Sequence, residues 1–207
     1  MKVGVRLRAL FIAALAVAWV AVLAPAAFAA TLDFESIGQP GIPQKIANGY
    51  GDLTWTNFYA GDGTYYEGLG FPDNGYVNGA SSGSYVSLNG FGAPASLSSS
   101  STFDFISASL TAAFNEGLHL DIAGYRNGTL LYSQAVTLTT TMYASLFFNW
   151  TGIDMLTFTT SGGTPRYGVS GHQFAMDDLT VVKTPIPAAL PFLATGLVGL
   201  GFAARRR

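Results

Sequence analysis

Leu118-His119-Leu120-Asp121-Ile122-Ala123-Gly124-Tyr125-Arg126-Asn127-Gly128-Thr129-Leu130 is the stretch that decides the fold class. Side chains of an extended chain point alternately to its two sides. Leu118, Leu120 and Ile122 therefore share one face, while His119, Asp121 and Ala123 share the other. Asn127-Gly128 then falls between two strand-like runs. A two-residue type I′ turn needs positive φ at both central positions, which Asn and Gly accept, so the pair marks a hairpin. Its second strand is expected over Leu130–Leu138.

Outward from this hairpin the same period of two recurs in short runs broken by Gly and Asn. Strands are expected at Thr31–Glu35, Leu53–Tyr59, Tyr85–Asn89, Phe103–Phe114 (interrupted), Ala144–Phe148, Met155–Thr160 and Phe174–Val182. Ser81–Ser84 and Ser96–Ser101 read as exposed turns. No long stretch repeats with a helical period. Many short antiparallel strands imply an all-β fold, a single β-sandwich of jelly-roll type.

The two ends have a different texture. Lys2, Arg6 and Arg8 precede an apolar run from Leu10 to Leu23, and Ala27-Phe28-Ala29 has the small residues that a signal peptidase reads. Residues 1–29 are expected to be a signal peptide for the Sec machinery, cut after Ala29. At the other end, Thr184-Pro185-Ile186-Pro187-Ala188 leads into an uncharged apolar run over 188–204, closed by Arg205, Arg206 and Arg207. About 17 helical residues span roughly 25 Å, the short end of a transmembrane helix. The terminal arginines would stay cytoplasmic and leave the domain on the far side. A buried C-terminal helix is the competing reading, and three arginines directly after the apolar run oppose it.

Between these ends, residues 30–183 hold four basic residues (Lys45, Arg126, Arg166 and Lys183) and all twelve acidic ones. The domain is therefore at −8, although the whole chain is at −2. That balance, with no basic patch, speaks against nucleic acid as a partner. The chain has no cysteine, which excludes thiol catalysis, Cys-ligated zinc and iron–sulfur clusters.

The tail resembles the PEP-CTERM sorting signal of Gram-negative bacteria in its Val-Pro-Leu-Pro-Ala-type variant. The likeness rests on Pro185, Ile186, Pro187, Ala188, Leu190-Pro191, the Gly196/Gly199/Gly201 spacing and the Arg cluster. It implies an exosortase, a membrane transpeptidase that cleaves near the motif. It also implies transient residence in the inner membrane, then the cell surface or exopolysaccharide matrix. Ile186 stands where the Pro-Glu-Pro form has Glu, so the sortase subtype stays open. The middle of the chain resembles a β-sandwich domain found in front of such tails. Leu32-Asp33-Phe34-Glu35, a Trp150-Thr151-Gly152-Ile153-Asp154 corner and Phe174-Ala175-Met176-Asp177-Asp178-Leu179 carry that likeness.

Three chemistries are weighed on the domain. In an unbroken last strand, Phe174, Met176 and Asp178 share one face, and Ala175, Asp177, Leu179 and Val181 the other. One of Asp177 and Asp178 then points inward and must be paired, hydrogen-bonded or metal-bound. With Asp33 and Glu35 on one face of the first strand, the four carboxylates could hold Ca²⁺. Jelly-roll carbohydrate-binding modules, which the domain resembles in pattern, often carry such an ion. The alternative is a capping network to backbone N–H groups. The irregular stretch Gly49–Tyr76 supplies Trp55, Tyr59, Tyr65, Tyr66 and Tyr76, whose faces could stack on sugars, or else fill the core. Catalysis finds little: His119 and His172 are the only histidines, and nothing pairs Glu35, Glu67 or Glu116. The expected role is a structural or glycan-binding module rather than an enzyme. A secreted hydrolase on the same sandwich and a self-associating surface protein are the competing classes.

Overall fold

The computed structural model describes residues 28–168 and 171–183, and a compact unit spans Phe28–Lys183. The sorting motif, the 188–204 run, the Arg cluster and all of the signal peptide before Phe28 lie outside the described residues. Among the described residues, no helix is long and apolar enough to cross a membrane.

The unit is all-β and antiparallel. Its strands are β1 (Phe28–Leu32), β2 (Gln44–Lys45), β3 (Thr54–Thr56), β4 (Phe58–Asp62), β5 (Tyr85–Asn89), β6 (Ala95–Ala112), β7 (Asn115–Glu116), β8 (Leu118–Arg126), β9 (Thr129–Leu138), β10 (Ala144–Ser161), β11 (Thr164–Pro165) and β12 (Phe174–Lys183), with one short helix, α1 (Gly63–Gly68). Ten strands form one sheet in the order β2-β4-β5-β12-β6-β10-β8-β9, with β1 added to β12 and β3 to β6. The hairpin is as expected: Asn127 and Gly128 have φ of 50° and 75°, and Leu118, Leu120 and Ile122 are buried.

The sheet doubles over on itself. Three strands separate β4 from β10 in the hydrogen-bonding order, about 19 Å along a flat sheet at ~4.8 Å per step. Yet the Phe58 and Phe158 rings lie 5.5 Å apart, and both meet Phe174 at 6.1 and 5.6 Å. Two facing layers therefore share one core. The layers are continuous because β6 and β10, 18 residues each, run through both. Register shifts interrupt their pairing between Phe147 and Met155. Asn149 and Gly152 take positive φ there, so the chain turns the corner within Trp150–Asp154. Gly152 N–H donates to Asp104 Oδ1 at 2.8 Å and fixes the bend.

Several expectations are corrected by cross-strand pairing. Ala144–Phe148 and Met155–Thr160 are one strand. Ser96–Ser101 is not a turn but part of β6, paired to Thr54–Thr56 and to Met155–Thr157. Leu53–Tyr59 breaks at Asn57, whose φ is 59°. The first strand ends at Leu32, because Phe34 at φ 62° leaves the extended region. In β12, a bulge at Asp178 (φ 47°) reverses the alternation. Phe174, Met176, Leu179 and Val181 consequently all enter the same core.

Candidate functional site

Two regions hold the residues singled out from the sequence. The first surrounds Asp177, a fully buried side chain. Its carboxylate accepts backbone N–H bonds from Ser81 and Ser82, both 2.8 Å, and from Asp178 at 2.7 Å. The Ser81 and Ser82 hydroxyls add longer bonds, and Ser81 Oγ also donates to Asp178 at 2.9 Å. Glu35 accepts from Ser84 and Tyr85 N–H at 2.7 Å each, and Asp33 from the Glu35 N–H at 3.2 Å. Burial pushes the Asp177 carboxyl above the ordinary Asp value; the Ser82 and Asp178 N–H groups oppose that shift and the Asp178 charge reinforces it.

This arrangement fits the capping alternative. The groups aimed at Asp177 and Glu35 are N–H and O–H donors, whereas calcium would need converging oxygens. Among the described residues, no three Asp, Glu or His side chains gather as a metal site. Glu35, Asp177 and Asp178 tie residues 81–85 to the chain after β1 and to the last strand, while Asp33 accepts only from the Glu35 N–H. Asp33 and Glu35 do not share a strand face, since β1 has already ended.

The second region is the aromatic stretch, and it divides. Trp55 and Tyr76 are interior, 2% and 1% exposed, and cannot form a rim. Trp55 packs edge-on against Phe34 and Phe58 and donates its indole N–H to Tyr50 O at 2.9 Å. Tyr76 is covered by Tyr66 and Phe114 at 4.6 and 5.4 Å. This second cluster forms because the 63–80 segment lies flat on β6. A Cβ at Gly75 would sit 1.7 Å from Ala112 O, so only glycine permits that approach.

Tyr59 and Tyr66 remain half-buried and, with the buried Tyr76, line a cleft of about 350 Å³ together with Ile42, Pro43, Phe91 and Gln173. Tyr65 lies outside it, against Tyr66 and beside a shallower depression that includes Leu69. The lining residues named for the cleft carry no charge, and burial holds the Tyr66 and Tyr76 hydroxyls protonated.

Phe91 was not legible as a site residue. It is 90% exposed and has φ of 57°, a conformation that costs a bulky residue about 1–3 kcal/mol. The turn around it is nevertheless firmly held. Asn57 Nδ2 donates to the carbonyls of Gly90, Ala93 and Pro94 at 3.1–3.2 Å. Asn89 Nδ2 donates to Ala93 O at 3.0 Å, and its Oδ1 accepts from Phe174 N–H at 2.8 Å. The Phe91 ring meets Tyr59 edge-on at 6.4 Å. Across the cleft, Gln173 Oε1 is buried without a hydrogen-bond partner. Rotation of that amide can offer a ligand hydroxyl either an acceptor or a donor. The aromatic stretch points to Tyr59, Tyr66 and Tyr76 from the sequence; for Phe91 the sequence signal is Gly90-Phe91-Gly92, an aromatic isolated between two glycines.

His172 precedes Gln173 at the cleft, with its backbone against Gly92 and its carbonyl accepting from Thr160 Oγ1 at 2.7 Å. His119 is exposed, 3.2 Å from Thr137 Oγ1. Glu116 accepts from Thr140 N and Oγ1 at 2.8 and 2.7 Å, and Arg166 joins that network through Thr140 and Asp73 O.

No protein-family model matches the sequence, and no curated protein matches it. Among solved structures, the chain is similar over 62% of its length to TmCBM61 in complex with β-1,4-galactotriose, at 10% identity, TM-score 0.36 and 85% coverage of that chain. It is also similar over 69% of its length to the arabinose-bound α-L-arabinofuranosidase MgGH51, at 10% identity and TM-score 0.38, spanning 25% of that chain. With TM-scores this low, neither likeness fixes the topology or the ligand of this chain.

Proposed function

We propose that the chain is an exported surface protein whose jelly-roll-like sandwich binds glycan through the cleft between Phe91, Tyr59, Tyr66 and Gln173. The observation that carries this reading is Phe91, an aromatic ring held in solvent on a strained, hydrogen-bonded turn at the edge of an uncharged aromatic cleft. A ring so placed adds nothing to the core and costs stability; it suits stacking on the apolar face of a sugar. Gln173 supplies the polar contact that orients a ligand in an otherwise apolar site. The uncharged lining and the acidic domain favour a neutral glycan over a uronate-rich one. What supports binding is the lining itself, aromatic and apolar with one amide, which suits stacking and hydrogen bonding to a sugar.

The sorting part of the reading rests on the sequence of the two ends. Sec export, processing after Ala29, transient anchoring by 188–204 and exosortase cleavage near Pro185–Ala188 would deliver the domain to the exopolysaccharide matrix. Intact mass of the released protein tests it: a C-terminus near Pro187 is expected, and a chain still ending at Arg207 overturns it.

For the domain, binding to a panel of neutral polysaccharides is measured by calorimetry for the wild type and Phe91→Ala. Loss of the stacking surface should weaken binding roughly tenfold, about 1.4 kcal/mol. Binding unchanged in Phe91→Ala, or absent from every neutral polysaccharide in the wild type, overturns the assignment.

A further inference from the structure

We propose that two copies of this chain pair edge to edge through the N-terminal half of β10, Ala144–Phe148, extending the sheet across a two-fold axis. Among the described residues, this half-strand pairs only with β6; β8 joins β10 from Met155 onward. Among the described residues its other edge has no strand partner, which makes it a template for another strand. Natural sheets usually blunt such an edge with charge or proline. Here no residue from Asn127 to Ile153 is charged or proline.

The exposed side chains point the same way. Ser145 and Phe147 lie on the outer face of the half-strand, Phe147 73% exposed; Tyr143, just before the strand begins, is 41% exposed and the neighbouring Met142 67%. Ala144, Leu146 and Phe148 turn inward. An antiparallel edge is self-complementary about a two-fold axis. Placing Ser145 opposite its own copy sets Tyr143 against Phe147 twice, a favourable cross-strand aromatic pair.

Charge selects the occupant. A strongly acidic or basic partner finds nothing to pair with on this edge. A second copy brings an equally neutral edge, while the acidic residues that set the domain at −8 lie elsewhere in the sequence. The contact does not involve the cleft, so it stands or falls independently of glycan binding.

The absence of cysteine makes the test direct. In the full chain, Ser145→Cys is compared with Thr64→Cys, an exposed position on α1, under mild oxidation in detergent. The proposal expects a disulfide-linked dimer for Ser145→Cys, several-fold more than for Thr64→Cys, and its loss when Phe147→Lys is added. Equal crosslinking of the two variants would mean association through another part of the chain and would overturn the proposal. Sedimentation velocity of the cysteine-free chain is the second measurement. Dimers that Phe147→Lys converts to monomers support the edge; a wild type monomeric throughout, or dimers indifferent to Phe147→Lys, overturns it.

Discussion

Replacing Asp177 with Ala should be among the most damaging single changes in the domain. The loss can be worked from its contacts. Three backbone N–H groups, those of Ser81, Ser82 and Asp178, give up their acceptor at once. A donor stranded in a buried site costs about 1–3 kcal/mol. Ser81 and Ser82 are only half-buried, so water replaces part of what is lost and the low end applies to each. Relief from burying a carboxylate offsets a little more. The net cost is about 3 kcal/mol, near 6–12 °C in Tm for a domain of this size. Urea titration of wild type and Asp177→Ala measures it. Asp177→Asn should recover much of the loss, because its amide oxygen in the place of Oδ2 still accepts from Ser81 and Ser82, and its NH₂ opposes only the Asp178 N–H. A change below about 0.5 kcal/mol, the range of ordinary surface substitutions, would refute the view that Asp177 anchors the 81–85 loop.

Other outcomes follow from the same geometry. Phe91→Gly should raise stability by about 1 kcal/mol, by relieving positive φ, while weakening glycan binding; a loss of stability would show that the ring packs. Gly75→Ala should destabilise by about 3 kcal/mol or more, because its Cβ meets a strand carbonyl that cannot move aside; a melting curve decides. Adding calcium should leave Tm unchanged, and a rise of several degrees would reinstate a metal among Asp33, Glu35, Asp177 and Asp178. The raised Asp177 carboxyl favours the protonated native state. Its contribution is therefore full below the ordinary Asp value and declines as pH rises through the native one. Asp177→Asn should remove that slope from stability measured against pH, and an unchanged slope would assign it elsewhere.

What was legible in the sequence was whatever local chemistry alone determines. Asn127-Gly128 can turn without help, and the alternation of β8 needs only one wet face. Tyr85–Asn89 was delimited correctly, and Phe174–Lys183 to within a residue. The misses are places where distant partners override local preference. Ser96–Ser101 looks like a turn until Thr54–Thr56 and β10 hydrogen-bond to it. Asp178 looks like one step of a regular strand, yet it is the extra residue that keeps both halves of β12 facing the core. Trp55 and Tyr76 advertise a surface by keeping company with Gly and Asp, but Trp55 is the inward residue of β3, and Gly75 lets the backbone approach close enough to bury Tyr76. Phe91 shows the reverse: a lone aromatic between glycines gives no sign that Asn57 and Asn89, far apart in sequence, will hold it in place.

Because β6 and β10 each thread both layers, neither layer can open without breaking strands that the other depends on. Amide hydrogen exchange should therefore find one slow population spread over both layers and not a protected half with a labile lid. Mobility would be confined to segments outside that shared ladder, such as 63–80. Ligand seated beside Phe91 would then slow exchange at distant β10 amides as well as at its own contacts, through the opening equilibrium of the whole unit.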